Sequence, residues 1–361
     1  LVPDVSIYGG FLGGESDRSE RKPANCITTL SGDLAQDDSS SASRSDNAYR
    51  VVTSTGNGTL DGFIITSGNA DGSPPYNGGG ALACDGNASP IITNCSFLGN
   101  SASDLGGAVY VNGASTPTFT NCSFTGNQAT FLGGAVCNTN SSSPSFINCT
   151  FAANVASGPT AYGGAIYSSP SSSHTLTNSI LWDNEATTND DQLSGPIQRA
   201  SSHNLVEGPI SGGFVITSDD PLFIRNPDPG PDGTWTGPGE NDYGDLRLQP
   251  GSPALDIGVN SANPTVVDQA AMPRIQRGVI DLGPFEKPFL ATVTSSSDSG
   301  PGTVRSLLSD IPSPGGGTIR FDPALDGETI SLSSGPLILD KSLFIDGSNM
   351  TTAITFVAGG Y

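Results

Sequence analysis

Positive charge is the scarcest commodity in this chain. Fourteen lysines and arginines stand against thirty-five aspartates and glutamates, a formal charge of −21, and neither basic type occurs between Arg50 and Arg199. That excludes nucleic acid and anionic membranes as partners, because both need a basic patch. There are only two histidines, His174 and His203, far apart in sequence; each reads as a surface residue. No Cys-x-x-Cys or Cys/His spacing suggests zinc. No apolar run is long enough to cross a membrane, so an integral membrane segment is not expected. No stretch carries a sustained helical stripe, and only 14% of residues are charged.

Glycine, serine, asparagine and short alternating apolar runs fill the space instead. From Gly79 to Asn184 one phrase is written four times: GGALACDGNASPIITNCSFLGN, GGAVYVNGASTPTFTNCSFTGN, GGAVCNTNSSSPSFINCTFAAN and GGAIYSSPSSSHTLTNSILWDN. Its leading glycine falls at Gly79, Gly106, Gly133 and Gly163, and its closing asparagine at Asn100, Asn127, Asn154 and Asn184. Both landmarks step by 27, 27 and 30 residues, so the period survives an insertion, as a structural repeat does. Three apolar columns run down the copies: Leu82, Val109, Val136, Ile166; Ile92, Phe119, Phe146, Leu176; and Phe97, Phe124, Phe151, Leu181. Neighbours within each run alternate, which is strand periodicity.

The inward parity changes between the second and third columns, so the chain must turn a corner there. The corner holds Asn94, Asn121, Asn148 and Asn178, followed by Cys95, Cys122, Cys149 and Ser179. We read an internal asparagine ladder beside a cysteine stack. The stacked cysteines behave as small buried hydrophobes, although a disulfide between coils is geometrically conceivable. A unit of three short strands and three corners that leans on its copies is one coil of a parallel β-helix, with coils about 4.8 Å apart.

Residues 1–215 are assigned to this helix, with irregular early coils before the repeats. There Leu60–Asn69 prefigures the later coils, with Asn69 standing for Asn100, and Asp33 to Asn47 is a polar, exposed loop. Residues 216–288, rich in Asp, Pro and Gly, are expected to close the open end. From 289 the composition restarts, with a short helix at Thr303–Ile311 stopped by Pro312 and the first strands of a second, truncated β-helix. Apolar runs at both termini suggest a piece cut from a larger protein.

These residues carry two resemblances. Gly106-Gly-Ala-Val with Phe124-Thr-Gly-Asn, and their copies over residues 60–185, resemble the repeats of chlamydial-type polymorphic outer membrane proteins. Asp220-Pro-Leu-Phe, Leu246 through Gly258, and Arg274 through Glu286 resemble the tail of the choice-of-anchor Q class of bacterial surface proteins. Both imply a right-handed parallel β-helix, secreted or displayed on a bacterial surface, mostly without catalysis.

Chemistry is sparse. Asp219-Asp220 is the one acidic pair in a strand-like context, and Asp220 reads as a turn cap before Pro221. Without a base on the repeats, a polysaccharide lyase or hydrolase of the pectate-lyase-like kind is the alternative rather than the first reading. Calcium is the one cofactor the spacing suggests. Asn226, Asp228 and Asp232 offer oxygens at alternating positions around glycine, without the distal glutamate of a complete calcium loop. Trp182 and Trp235 are available to stack on sugars, with packing the more natural role for Trp182. The expected function is a non-catalytic stalk or adhesin that turns a polar side to an extracellular glycan or a surface protein of a host or neighbouring cell.

Overall fold

The computed structural model describes residues 1–358 apart from 24–25, 39–43, 189–190, 209–213, 238–239, 312–315 and 341. One repeat supplies four strands. Leu82–Cys84, Ile91–Thr93, Ser96–Leu98 and Ser101–Ala102 form faces one to four of a coil, and each pairs in parallel with its copy in the next. The fourth face, only two residues long, is an addition to the three strands read from the sequence. Faces one and two contain six strands each, face three eight and face four five.

Register follows the sequence columns. Val109 pairs with Leu82 and Val136, Phe119 with Ile92 and Phe146, and Phe124 with Phe97 and Phe151. Identical residues therefore lie on one another. Phe124 stacks between Phe97 and Phe151 at 4.7 and 4.5 Å, nearly coplanar with both. Phe119 and Phe146 form a second pile and meet the first edge-on at 5.2–6.0 Å. All five rings are fully buried. Offset stacks and edge contacts are the arrangements aromatic quadrupoles favour.

The corner asparagines form a broken ladder, bonded between Asn121 and Asn94 and between Asn178 and Asn148, and the continuous ladder lies in another column. Asn94, Asn121, Asn148 and Asn178 occupy the corner in the left-handed conformation, φ 51–54°, a shape asparagine tolerates. Their side chains leave the coil: Asn121 Nδ2 reaches Asn94 Oδ1, Thr265 Oγ1 and the Val267 carbonyl, and Asn178 Nδ2 reaches Asn148 Oδ1 and the Val259 carbonyl. The interior ladder is the closing asparagine of the repeat. Asn100, Asn127 and Asn154 each donate through Nδ2 to the next copy's Oδ1, at 3.1, 2.9 and 2.8 Å, ending on Asn184. The second Nδ2 proton of Asn127 goes to the Phe97 carbonyl and that of Asn154 to the Phe124 carbonyl. Each Oδ1 also takes the backbone N–H of the residue beneath it. A buried polar column survives only if fully bonded, and this one is. Asn69 does not take the place of Asn100. Gly68 donates its N–H to Asn100 Oδ1 while Asn69 pairs with Ser101. A side chain at Gly68 would overlap the Gly80 carbonyl.

Cys95, Cys122 and Cys149 are buried free thiols, as are Cys26, Cys84 and Cys137. Burial pushes the Cys95 thiol up to about 12 and the Cys122 thiol well above its ordinary value. His174 is fully buried rather than on the surface. Its Nδ1 lies 2.7 Å from Ser168 Oγ, and burial pulls its pKa down to about 4.

The stretch after the last face-three strand, Val215–Thr217, does not close the end of the column. It turns back along the flank. Ala152, Ile180 and Leu205 belong to face three, yet they share a second core with Phe223, Leu246, Leu248, Ala254 and Leu282. Gln269 bonds Ser96 and Ser123, and Asn263 bridges Asn121 and Asn148. The tail thus seals face three and the asparagine corner. Beyond it, strands Leu290–Val293, Gly316–Phe321 and Ser342–Asp346 form a parallel sheet, Thr329–Leu332 pairs in parallel with Thr355–Ala358, and both share a separate core with the helix Val304–Asp310, N-capped by Thr303.

Candidate ligand groove

Face four is the lateral face where the tail stops short. Its outward residues run in file: Asn69, Ser101, Gln128, Val155 and Glu185 pair in register, coil above coil. Small polar side chains there are linked along the file. Ser101 Oγ donates to Asn69 Oδ1 at 2.7 Å, and Gln128 Nε2 to Ser157 Oγ at 3.3 Å. Alanines 70, 102, 129 and 156 point inward from the same strands.

The tail builds one wall. The segment 226–243 crosses the corner between faces three and four, where Gly99, Gly126, Ala153 and Asp183 all adopt φ 54–63°. Trp235 packs on Gly126 and stacks on Tyr243 at 5.6 Å, and Tyr243 covers Gly99. The two glycines are needed because an added Cβ would lie 2.6 Å from Trp235 Cδ2 at position 126 and 3.0 Å from Tyr243 Cζ at position 99. Ala153 shows that the corner backbone can carry a Cβ at positive φ, so the substitution Gly126→Ala adds the ring contact to a backbone strain the fold already bears one coil away. It is expected to lift the loop off the corner. In a Trp182→Phe background, the remaining tryptophan emission should shift to the red while the far-ultraviolet circular dichroism stays unchanged.

Along this wall lie three neighbouring depressions of 210, 460 and 200 Å³, which share Arg44, Gln128, Thr236 and Trp235 in their linings. Thr236 Oγ1 donates to Gln128 Oε1 at 3.3 Å, tying wall to floor. Among the described residues, Arg44 is the only base lining them. It is occupied, with Nη2 on the Gly99 carbonyl at 2.8 Å, Nη1 on Ser101 Oγ at 3.3 Å and Nε 3.6 Å from Asp38. Burial lowers its pKa, against the pull of Asp38. At the far end Asp183 and Glu185 line the depression beside Trp235. Burial first, then Glu207 and Glu185, raise the Asp183 carboxyl above its ordinary value.

The residues picked from the sequence lie elsewhere or do other work. Asn226, Asp228 and Asp232 sit on the exposed outer side of the wall. Asp228 Oδ1 caps the Gly230 N–H and Asp232 Oδ1 the Thr234 N–H, so these are turn caps. Among the described residues, the only three acidic side chains with oxygens within 4.8 Å of one another are Asp33, Asp37 and Asp38. Asp219 and Asp220 are exposed, and Asp220 caps the Leu222 N–H. Sequence reasoning missed the groove because its floor is unremarkable polar residues. The usable signal was apolar Ala152 and Ile180 at outward positions of face three, which announce a covering segment.

A family model for the right handed beta helix region matches residues 41–226. No curated protein and no solved structure gives a match.

Proposed function

The chain belongs to the right-handed β-helix family, and on that premise we propose that it serves as a non-catalytic stalk or adhesin, secreted or displayed at a bacterial surface. It offers the groove along face four to a partner outside the cell, an extracellular glycan or a surface protein. The observation that carries this reading is the file of amide and hydroxyl side chains beside an aromatic wall. Sugars are held by hydrogen bonds in the ring plane and by apolar contact on the ring face. Asp71, Asp183 and Glu185 line the groove and its one arginine is already paired, so a neutral glycan suits it better than an acidic one.

A panel of neutral and acidic oligosaccharides, titrated by calorimetry, tests the proposal. Neutral chains should bind, and Gln128→Ala should weaken binding by at least about tenfold, near 1.4 kcal/mol, with the melting temperature unchanged. Binding only by polyuronates, or binding indifferent to Gln128, contradicts it.

One observation favours a glycoside hydrolase as the second reading. Asp183 is a carboxyl with a raised pKa that shares with Glu185 the lining of a groove walled by Trp235, and glycoside cleavage uses a pair of carboxyls. Reducing ends released from a neutral polysaccharide, and lost in Asp183→Asn, would establish it.

A further inference from the structure

In the segment from Asp33 to Asn47, an exposed loop by its polarity, Asp33, Asp37, Asp38 and Arg44 are half-buried and Asn47 is buried. Asp33 accepts the N–H groups of Asp37 and Asp38 at 3.2 and 3.4 Å, and the carboxylate oxygens of all three lie within 4.8 Å of one another. The nearby positive charge is Arg44, 3.6 Å from Asp38, which leaves two negative charges unbalanced. Acidic clusters are common on proteins and this alone assigns nothing.

Asn47 sets the cluster apart. It is only 5% exposed, and its amide lies against the cluster, with Nδ2 donating to Asp38 Oδ2 at 2.9 Å and to the Ser67 carbonyl at 2.8 Å. Its Oδ1 is buried with no donor among the described residues, and so is Asp38 Oδ1. Reversing the amide does not help. Oδ1 would then face two acceptors, and Nδ2 would be the orphan. The described residues therefore satisfy neither orientation, although an orphaned buried acceptor costs about 1–3 kcal/mol. A cation supplies what both oxygens lack.

We propose that this pocket binds a divalent cation of the hard, oxygen-seeking class, calcium, through the carboxylates of Asp33, Asp37 and Asp38 and the amide oxygen of Asn47, with water completing the shell. Irregular, carboxylate-rich sites without octahedral symmetry suit calcium over magnesium. Asp38 and Arg44 also line the depression beside Trp235 and Tyr243, so the ion would stiffen one end of the groove. The site stands whether or not the groove binds a glycan.

Calorimetry on the chelator-stripped full chain tests it. Calcium should bind at one site, with a dissociation constant of about 10⁻³ M or tighter, as in extracellular modules, and raise the melting temperature. The heat should disappear in Asp37→Asn and Asp38→Asn and persist in Asp228→Asn. Terbium bound to the unaltered chain should luminesce on excitation of the neighbouring aromatics and be displaced by calcium, a readout that needs no variant. No heat and no displaceable luminescence at roughly ten times that concentration, retention of the heat in both cluster variants, or its loss in Asp228→Asn overturns the assignment. Equal affinity for magnesium contradicts calcium as the ion.

Discussion

Asn127→Ala is expected to destabilise the chain by about 3–5 kcal/mol, among the largest losses a single side chain can cause. Asn127 sits mid-ladder and is fully buried. Its Oδ1 accepts both the backbone N–H and the Nδ2 of Asn100, and its own Nδ2 serves Asn154 Oδ1 and the Phe97 carbonyl. Alanine orphans the buried Asn100 backbone N–H, at about 1–3 kcal/mol, and strips a side-chain partner from Asn154 Oδ1, from the Phe97 carbonyl and from Asn100 Nδ2, which keeps the Ile65 and Leu98 carbonyls. Water has no path to replace them, since phenylalanines 97, 124 and 151 fill the space alongside. A fall in the urea midpoint is the readout, with exposed Asn226→Ala as the control. Asn127→Asp refines the test. It keeps the acceptor for Asn100 but sets a carboxylate against Asn154 Oδ1 and the Phe97 carbonyl, so it should be no milder than alanine.

Arg274→Ala should be comparably damaging, at about 3–5 kcal/mol, the usual result of stranding buried partners. Arg274 is 2% exposed. It donates to the Asp281 and Gly283 carbonyls, the same two carbonyls that receive Asn148 Nδ2, and its Nη1 lies 3.6 Å from Glu286. It thus fastens the returning tail to the asparagine corner. Three carboxyls, Asp268, Asp281 and Glu286, share this one guanidinium away from water. Full ionisation would leave two negative charges buried, so protons are retained. Burial pushes Asp281 up to about 6, against the N–H groups of Lys287 and Asp256, and burial followed by the Asp281 carboxylate pushes Glu286 up to about 9.

The pH dependence follows from those directions. A carboxyl whose pKa is raised by folding binds more protons in the folded than in the unfolded state, so its stabilising effect is complete below its unfolded value and is lost as pH rises through the folded one. Melting of the tail should therefore fall from about pH 5 to pH 9. Glu286→Gln should flatten the alkaline part of that slope, whereas Arg274→Ala should steepen the loss. Rising stability over this range contradicts protons held in the cluster.

How far the sequence was legible depends on repetition. The inward columns at Ile92 and Phe97 could be read because every coil presents the same demand at the same place, and the coordinates pair them as the columns align. The two asparagine columns could not be told apart by frequency, since both recur in every repeat. The difference is what precedes them. Asn94 takes the left-handed corner itself and its side chain leaves the coil, whereas Gly99 takes the corner before Asn100 and turns the amide inward. A glycine, alanine or aspartate ahead of the asparagine was the available sign. The tail had no such redundancy. Trp235 on Gly126, Asn263 on Asn121 and Arg274 beneath Asn148 are single contacts over a hundred residues apart in sequence, and nothing periodic announces them. Asp228 and Asp232 looked like ligands because turn caps and calcium loops use the same residues near glycine. The orphaned oxygen of Asn47 is visible only when its surroundings are.

The column itself can be measured with paired spin labels. Ser6, Ser145 and Thr175 lie in one file on face two, joined by successive parallel pairings, and the six native thiols are buried. In Ser6→Cys/Ser145→Cys and Ser6→Cys/Thr175→Cys, electron–electron double resonance should give backbone separations near 19 and 24 Å, one strand spacing of about 4.8 Å apart. Equal separations in the two pairs, or a difference of two spacings or more, would mean that the coils do not stack one upon the next, and both the ladder and the groove would fall with them.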